Sequence, residues 1–135
     1  MNRSTLEAWA YAALRIISGL MFSLHGVQKL LGELTTRARP EMWSQAWFGG
    51  VIELVGGVLI ALGLFTRPLA FLCSGTMAVA YIQFHWKGQL GEKFFPISGG
   101  GNGGELAVLY CFLFLLFAIR GAGGFSLDRR IRRRA

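Results

Sequence analysis

Soluble-protein features are scarce in this chain. Only 16% of its residues are charged, against 53% hydrophobic, and it has three prolines, two histidines and two cysteines. Cys73 and Cys111 each sit inside an apolar run and form no CxxC pair, which leaves a dithiol oxidoreductase or a zinc site without support. They read as buried thiols acting as small hydrophobes. A haem-attachment motif, a nucleotide-binding glycine fingerprint and a cysteine cluster are all missing, so the chain carries no electron carrier of its own. It also lacks a polar stretch long enough for a soluble domain.

What is present is apolar sequence in span-sized pieces. With 135 residues and a mean hydropathy of +0.47, the chain has room for one domain and more apolar surface than a small core can bury. A spanning helix takes about 20 apolar residues. Four segments qualify, at about residues 6–31, 47–64, 68–86 and 104–119. Helices are the expected elements, because lone strands leave backbone groups unsatisfied in lipid. The fold class read from this pattern is all-α, an integral membrane four-helix bundle forming a single domain over residues 1–135. The first segment is read as a permanent span. It is too long for a signal peptide, carries Arg15, and is followed by no small-residue cleavage site.

The net charge of +7 is concentrated rather than spread. Arg120, Arg129, Arg130, Arg132, Arg133 and Arg134 fall in residues 120–135, a basic tail directly after an apolar segment. That placement reads as a cytoplasmic topology signal in contact with anionic lipid, and it argues against nucleic acid. Counting Arg3, Arg67 and the tail against Lys29, Arg37, Arg39, Lys87 and Lys93 puts both termini in the cytoplasm. Trp9 and Tyr11 then mark the inner interface, and Trp43, Trp47 and Trp86 the outer one. The turn before the third segment has Thr66 as an expected N-cap, with Pro68 in the first turn. The glycine-rich connection from Lys87 to Gly104 is expected to dip into the outer interface or lie over the bundle.

An ionisable residue at mid-span costs about 2.5–3.5 kcal/mol on insertion scales, so each one calls for a reason. Arg15, Ser18, Phe22, His25 and Lys29 recur at spacings of three and four, one stripe of the first helix turned toward the bundle. On the second helix Gly49, Glu53, Gly56, Ile60 and Gly63 form the matching face. His85 closes the third segment and Glu105 opens the fourth. Read together, His25, Lys29, Glu53, His85 and Glu105 are candidates for ligand binding or proton relay toward the outer face.

Each candidate also has a plainer role. Glu53 can form a structural ion pair with Arg15 or Lys29. Asn102-Gly-Gly-Glu105 fits a capping box. The histidines can be satisfied interfacial side chains. Metal binding by the two imidazoles and two carboxylates, or haem ligation by the imidazoles, has no spacing motif behind it. The chemistry that suits the cluster is a quinone or small polar ligand, with His25 and Lys29 donating to carbonyl oxygens and Glu53 or Glu105 relaying protons. Phe112, Phe114 and Phe117 read as lipid-facing or packing residues rather than a cofactor box. Glycine-lined helix faces also suit a homo-oligomer.

Four ordered motifs resemble the DoxX family of small bacterial membrane proteins. Arg15 precedes His25-Gly26-x-x-Lys29-Leu30. Glu53-Leu54-x-Gly56-Gly57-x-Leu59 follows and runs on to Gly63-Leu64-x-Thr66-Arg67. Gly103-Gly104-Glu105-Leu106-Ala107 with Tyr110, and Gly121-x-Gly123-x-x-Ser126-Leu127-Asp128, complete the set. The resemblance implies a four-helical protein of the bacterial inner membrane linked to redox systems, since the family's name comes from a relative of a thiosulfate:quinone oxidoreductase subunit. The expectation is therefore a membrane subunit that interacts with quinone or a partner oxidoreductase. Its alternative is a non-catalytic component, either a small-solute carrier or an assembly and interaction protein, in which the polar cluster is an ion-pair network.

Overall fold

The structure, a computed structural model, describes residues 2–134 and is helical, with no strand among them. The expected domain ends at residues 1 and 135 lie outside the described residues. Helix α1 spans Arg3–Leu31, beginning three residues before the apolar run. Its cap explains the early start, because the Asn2 side chain accepts from the Thr5 N–H at 3.0 Å. Helix α2 spans Gln45–Leu62, with Ser44 as N-cap and a single π-helical turn, Ile52–Gly56, in its middle. Helix α3 covers residues 66–86, α-helical over Thr66–Ala80 and π-helical over Tyr81–Trp86. Helix α4 spans Glu105–Arg120. A short helix, α5, spans Leu127–Arg132 within what reads in the sequence as a plain basic tail. Of these, α1 and α2 are each long and apolar enough by themselves to cross a membrane.

Successive helices run antiparallel. Gly19 of α1 lies against Gly57 and Ala61 of α2, and Gly26 against Leu54 and Gly50, so one index rises as the other falls. Likewise Ser74 of α3 donates to the Cys111 carbonyl of α4 at 2.8 Å, while Gly104 at the head of α4 packs on the Tyr81 ring. Between the pairs lies a core of Phe22, Ile60, Ala70, Cys73, Met77, Tyr110, Phe114 and Phe117. Phe114 and Phe117 are therefore packing residues, whereas Phe112 faces outward. The glycines expected to suit a homo-oligomer are largely spent inside the chain. Gly19, Gly26, Gly50 and Gly57 hold α1 to α2, and Gly56 sits on the Cys73 sulfur.

Helix α2 ends as its sequence dictates. Gly63 takes φ 70°, and its N–H bonds back to the Ile60 carbonyl while Leu64 N–H reaches Leu59. This is a Schellman closure, which favours glycine because a Cβ is strained there. The start of α3 differs from expectation. Thr66 is its first helical residue rather than its cap, and the capping group is the Asp128 carboxylate, 62 residues further on. It accepts from Phe65 N–H at 2.8 Å and from Thr66 N–H at 3.0 Å. Asp128 N–H in turn donates to the Gly63 carbonyl at 2.9 Å. The basic tail is thus fastened to the α2–α3 turn. Asp128→Ala is expected to lower stability by about 1–2 kcal/mol, the usual worth of a lost N-cap. Faster amide exchange at Phe65 and Thr66 would locate the effect.

Candidate functional site

The stripe read on α1 is the face that packs inward: Arg15, Ser18 and Phe22 are buried, and His25 and Lys29 are half-buried near the C-terminal end. At that end Lys29 Nζ lies 2.6 Å from Glu53 Oε1. The carboxylate side chain is 3% exposed, whereas the lysine keeps 41% of its surface open. The second oxygen, Glu53 Oε2, is buried and has no hydrogen-bond partner among the described residues. Such an acceptor costs about 1–3 kcal/mol when left unsatisfied, and more when charged. Glu53 therefore has room in its bonding for a proton or for a ligand donor.

The local backbone is unusual at this point. Glu53 falls within the π-helical turn of α2, an insertion that rotates the following turns and is often found at functional sites. The rotation changes which residues face α1. Gly50, Gly57 and Ala61 meet it, while Gly49 of the expected face has nothing within 4 Å of a built Cβ. Three residues beyond Glu53, Gly56 packs on the Cys73 sulfur of α3. Tyr110 stacks obliquely on Phe22 at 5.1 Å and meets the His25 ring edge-on at 6.2 Å. Lys29 and Glu53 thus meet directly, while His25, one turn before Lys29 on α1, has its ring against Tyr110. Tyr110 has no assigned role in the sequence motifs, and the packing of α4 brings it beside His25 and Phe22.

Among the described residues the other candidates make no hydrogen bond or ion pair with this group. Arg15 does not pair with Glu53. Its guanidinium is 1% exposed and donates to the Ile60 and Ala61 carbonyls, each at 2.9 Å, and to the Phe125 carbonyl. The reason is vertical register: antiparallel packing sets Arg15 beside the last turn of α2, where the Ala61 carbonyl has no helical partner, and sets Lys29 beside Glu53. His85, in the π-helical turn of α3, has its Nδ1 3.3 Å from the Asn102 carbonyl. Glu105 is exposed at the first position of α4.

The capping box is not formed. Gly104 occupies the cap position, and Asn102 Oδ1 accepts the Gly104 N–H at 2.9 Å while its amide donates to Tyr81 and to the Lys93 carbonyl. Asn102 thereby folds the long loop back on itself and onto α3. At the same end Gln45 and Gln83 bridge α2 and α3 at 2.6 Å. Among the described residues no three of His, Cys, Asp and Glu gather as a metal would require.

Comparison with known proteins gives a consistent picture. A sequence model of the DoxX family matches residues 10–86. An uncharacterized protein of Haemophilus influenzae is 44% identical over 132 residues, covering 96% of each chain. The inner membrane protein YphA of Escherichia coli is 34% identical over 86% of each chain. The uncharacterized membrane protein Rv3486 of Mycobacterium tuberculosis is 31% identical, over 90% of this chain and 81% of its own. No solved structure matches significantly.

Proposed function

Because the chain belongs to the DoxX family, we propose that it is a multi-pass inner-membrane protein that holds a quinone-class ligand at His25, Lys29 and Glu53 for a partner oxidoreductase. Placement in the membrane is supported by the names of YphA and Rv3486 and by the outward apolar faces. Leu14, Ile17, Leu20, Met21 and Leu24 on α1 and Leu109, Phe112, Leu116 and Ile119 on α4 all point away from the core. In this reading all four long helices span, as one domain. The basic tail lies in the cytoplasm with both termini, and the Glu53 group lies toward the outer face.

A single observation carries the ligand assignment, the orphan oxygen of a buried carboxylate already paired on its other side. Lys29 and His25 can donate to the carbonyl oxygens of a quinone, and Glu53 can hold the proton that accompanies reduction. Electrons come from the partner, since the chain has no carrier for them. The test is direct titration of purified protein with a soluble quinone analogue, followed by intrinsic fluorescence. Glu53→Gln is expected to weaken binding tenfold or more, because a neutral amide forms no ion pair with Lys29 and takes up no proton. Unchanged affinity in that variant overturns the assignment.

The close Lys29–Glu53 contact also favours a second reading, a non-catalytic component (small-solute carrier or assembly protein) in which the pair is structural. Here Glu53→Gln lowers the melting temperature, and neither the variant nor the native protein binds the analogue. The two readings separate on the native titration alone.

A further inference from the structure

The opposite end of the molecule carries a second constellation, independent of the Glu53 group. Three long-range ties hold the chain after α4 in place. Tyr11 hydroxyl donates to the Gly121 carbonyl at 2.7 Å, Arg15 donates to the Phe125 carbonyl, and Asp128 caps α3. Trp9 stacks on Phe125 with ring centroids 4.3 Å apart. The arginines of α5 are therefore displayed on a fastened element rather than on a loose tail.

Between α5, α1 and the end of α2 lies a cavity of about 490 Å³. Its lining combines Arg129, Arg130 and Arg133 with the apolar side chains of Ile16, Leu62 and Phe125. All six side chains are exposed, so the space opens outward. Asp128, the acid on α5, spends both oxygens on the Phe65 and Thr66 N–H groups. Among the described residues no carboxylate pairs with Arg129, Arg130 or Arg133. Three uncompensated guanidiniums beside an exposed apolar wall match a molecule with an anionic group at one end and hydrocarbon at the other. A soluble anion would use the arginines and leave Ile16, Leu62 and Phe125 in water.

We propose that this cavity is a binding site for one anionic phospholipid, with its phosphate on Arg129, Arg130 and Arg133 and its acyl chain base along Ile16, Leu62 and Phe125. Guanidinium suits the phosphate because its planar fork donates bidentately. The site differs from the diffuse attraction of a basic tail, because it requires a fixed α5 and takes a lipid in a set position beside Trp9.

Trp9 supplies the readout. In full-length protein with Trp43, Trp47 and Trp86 changed to Phe, reconstituted in phosphatidylcholine vesicles with 20 mol% phosphatidylglycerol, bromine is placed on one lipid or the other. At equal bromolipid content, Trp9 is expected to be quenched several-fold more strongly by brominated phosphatidylglycerol. The exposed double change Arg130→Gln/Arg133→Gln is expected to cut that preference about tenfold or more, at an unchanged melting temperature. Equal quenching by the two lipids overturns the proposal, as does a preference that survives the double change. Displacement of the brominated phosphatidylglycerol by millimolar inorganic phosphate also overturns it, and would assign the arginines to a soluble anion.

Discussion

Replacing Arg15 with methionine is expected to lower the melting temperature of the detergent-solubilised protein by about 10 °C. The guanidinium is 1% exposed and serves the Ile60 and Ala61 carbonyls together with that of Phe125. Two of these lie in the last turn of α2, where the Gly63 N–H reaches the Ile60 carbonyl but not that of Ala61, and where a cation also meets the negative end of the helix dipole. One side chain thus closes α2 and ties it to α1 and to the segment leading into α5.

A hydrogen bond to a charged group contributes about 1.5–3 kcal/mol. Burying the cation offsets part of that gain, which brings the expected net loss to about 3 kcal/mol. For 135 residues each kcal/mol is worth about 3 °C, hence the predicted shift. Arg15→Lys keeps the charge but not the fork, and is expected to recover less than half of the loss. Trp9 fluorescence should change in both variants as the stack on Phe125 loosens. A methionine variant as stable as the parent would show that the carbonyls find other donors. Full rescue by lysine would show that charge alone matters.

The second large effect is expected at Gly26. A Cβ built there comes within 2.6 Å of Leu54 Cβ and 2.7 Å of the Gly50 carbonyl oxygen, distances that only a backbone shift can relieve. Gly26→Val should therefore push α2 away from α1 and cost about 3 kcal/mol, the upper range for overpacking. The same movement parts Lys29 from Glu53, so analogue binding should fall along with stability. Gly49 is the control. It stands on the same helix pair with nothing within 4 Å of a built Cβ. Gly49→Ala should stabilise by about 0.5–1 kcal/mol, because alanine loses less backbone entropy in a helix. Opposite signs at two glycines distinguish close packing from general intolerance of substitution. A neutral Gly26→Val would refute the packing described for α1 and α2.

Much of this arrangement is legible in the residue pattern. Apolar runs of span length mark the long helices, and the Arg15–Lys29 stripe shows which face of α1 turns inward, because the spacing of polar residues reports directly on a helical face. Gly63 announces the end of α2 by itself. The pattern is silent on partners. Arg15 and Lys29 share one face, fourteen residues and about 21 Å of helix apart, and either could serve Glu53 by periodicity alone. The choice falls to the register of α2 against α1, set by where Gly26 and Gly57 let the backbones meet.

The π-helical turn at Glu53 leaves no signal in spacing, because it is the turn that alters the spacing. The cap of α3 could not be read locally either, since its acceptor arrives from Asp128 after two more helices have been laid down. Sequence determined the helices, their inward faces and the presence of ionisable groups among apolar ones. Tertiary structure alone decided that Lys29 neutralises Glu53, that Arg15 closes a helix instead, and that the arginine tail is a fastened element with a cavity beneath it. The physical reason is the same in each case: hydropathy and propensity act over a few neighbouring residues, whereas ion pairs and caps depend on atoms that packing brings within 3 Å from 24, 45, 62 or 110 positions away.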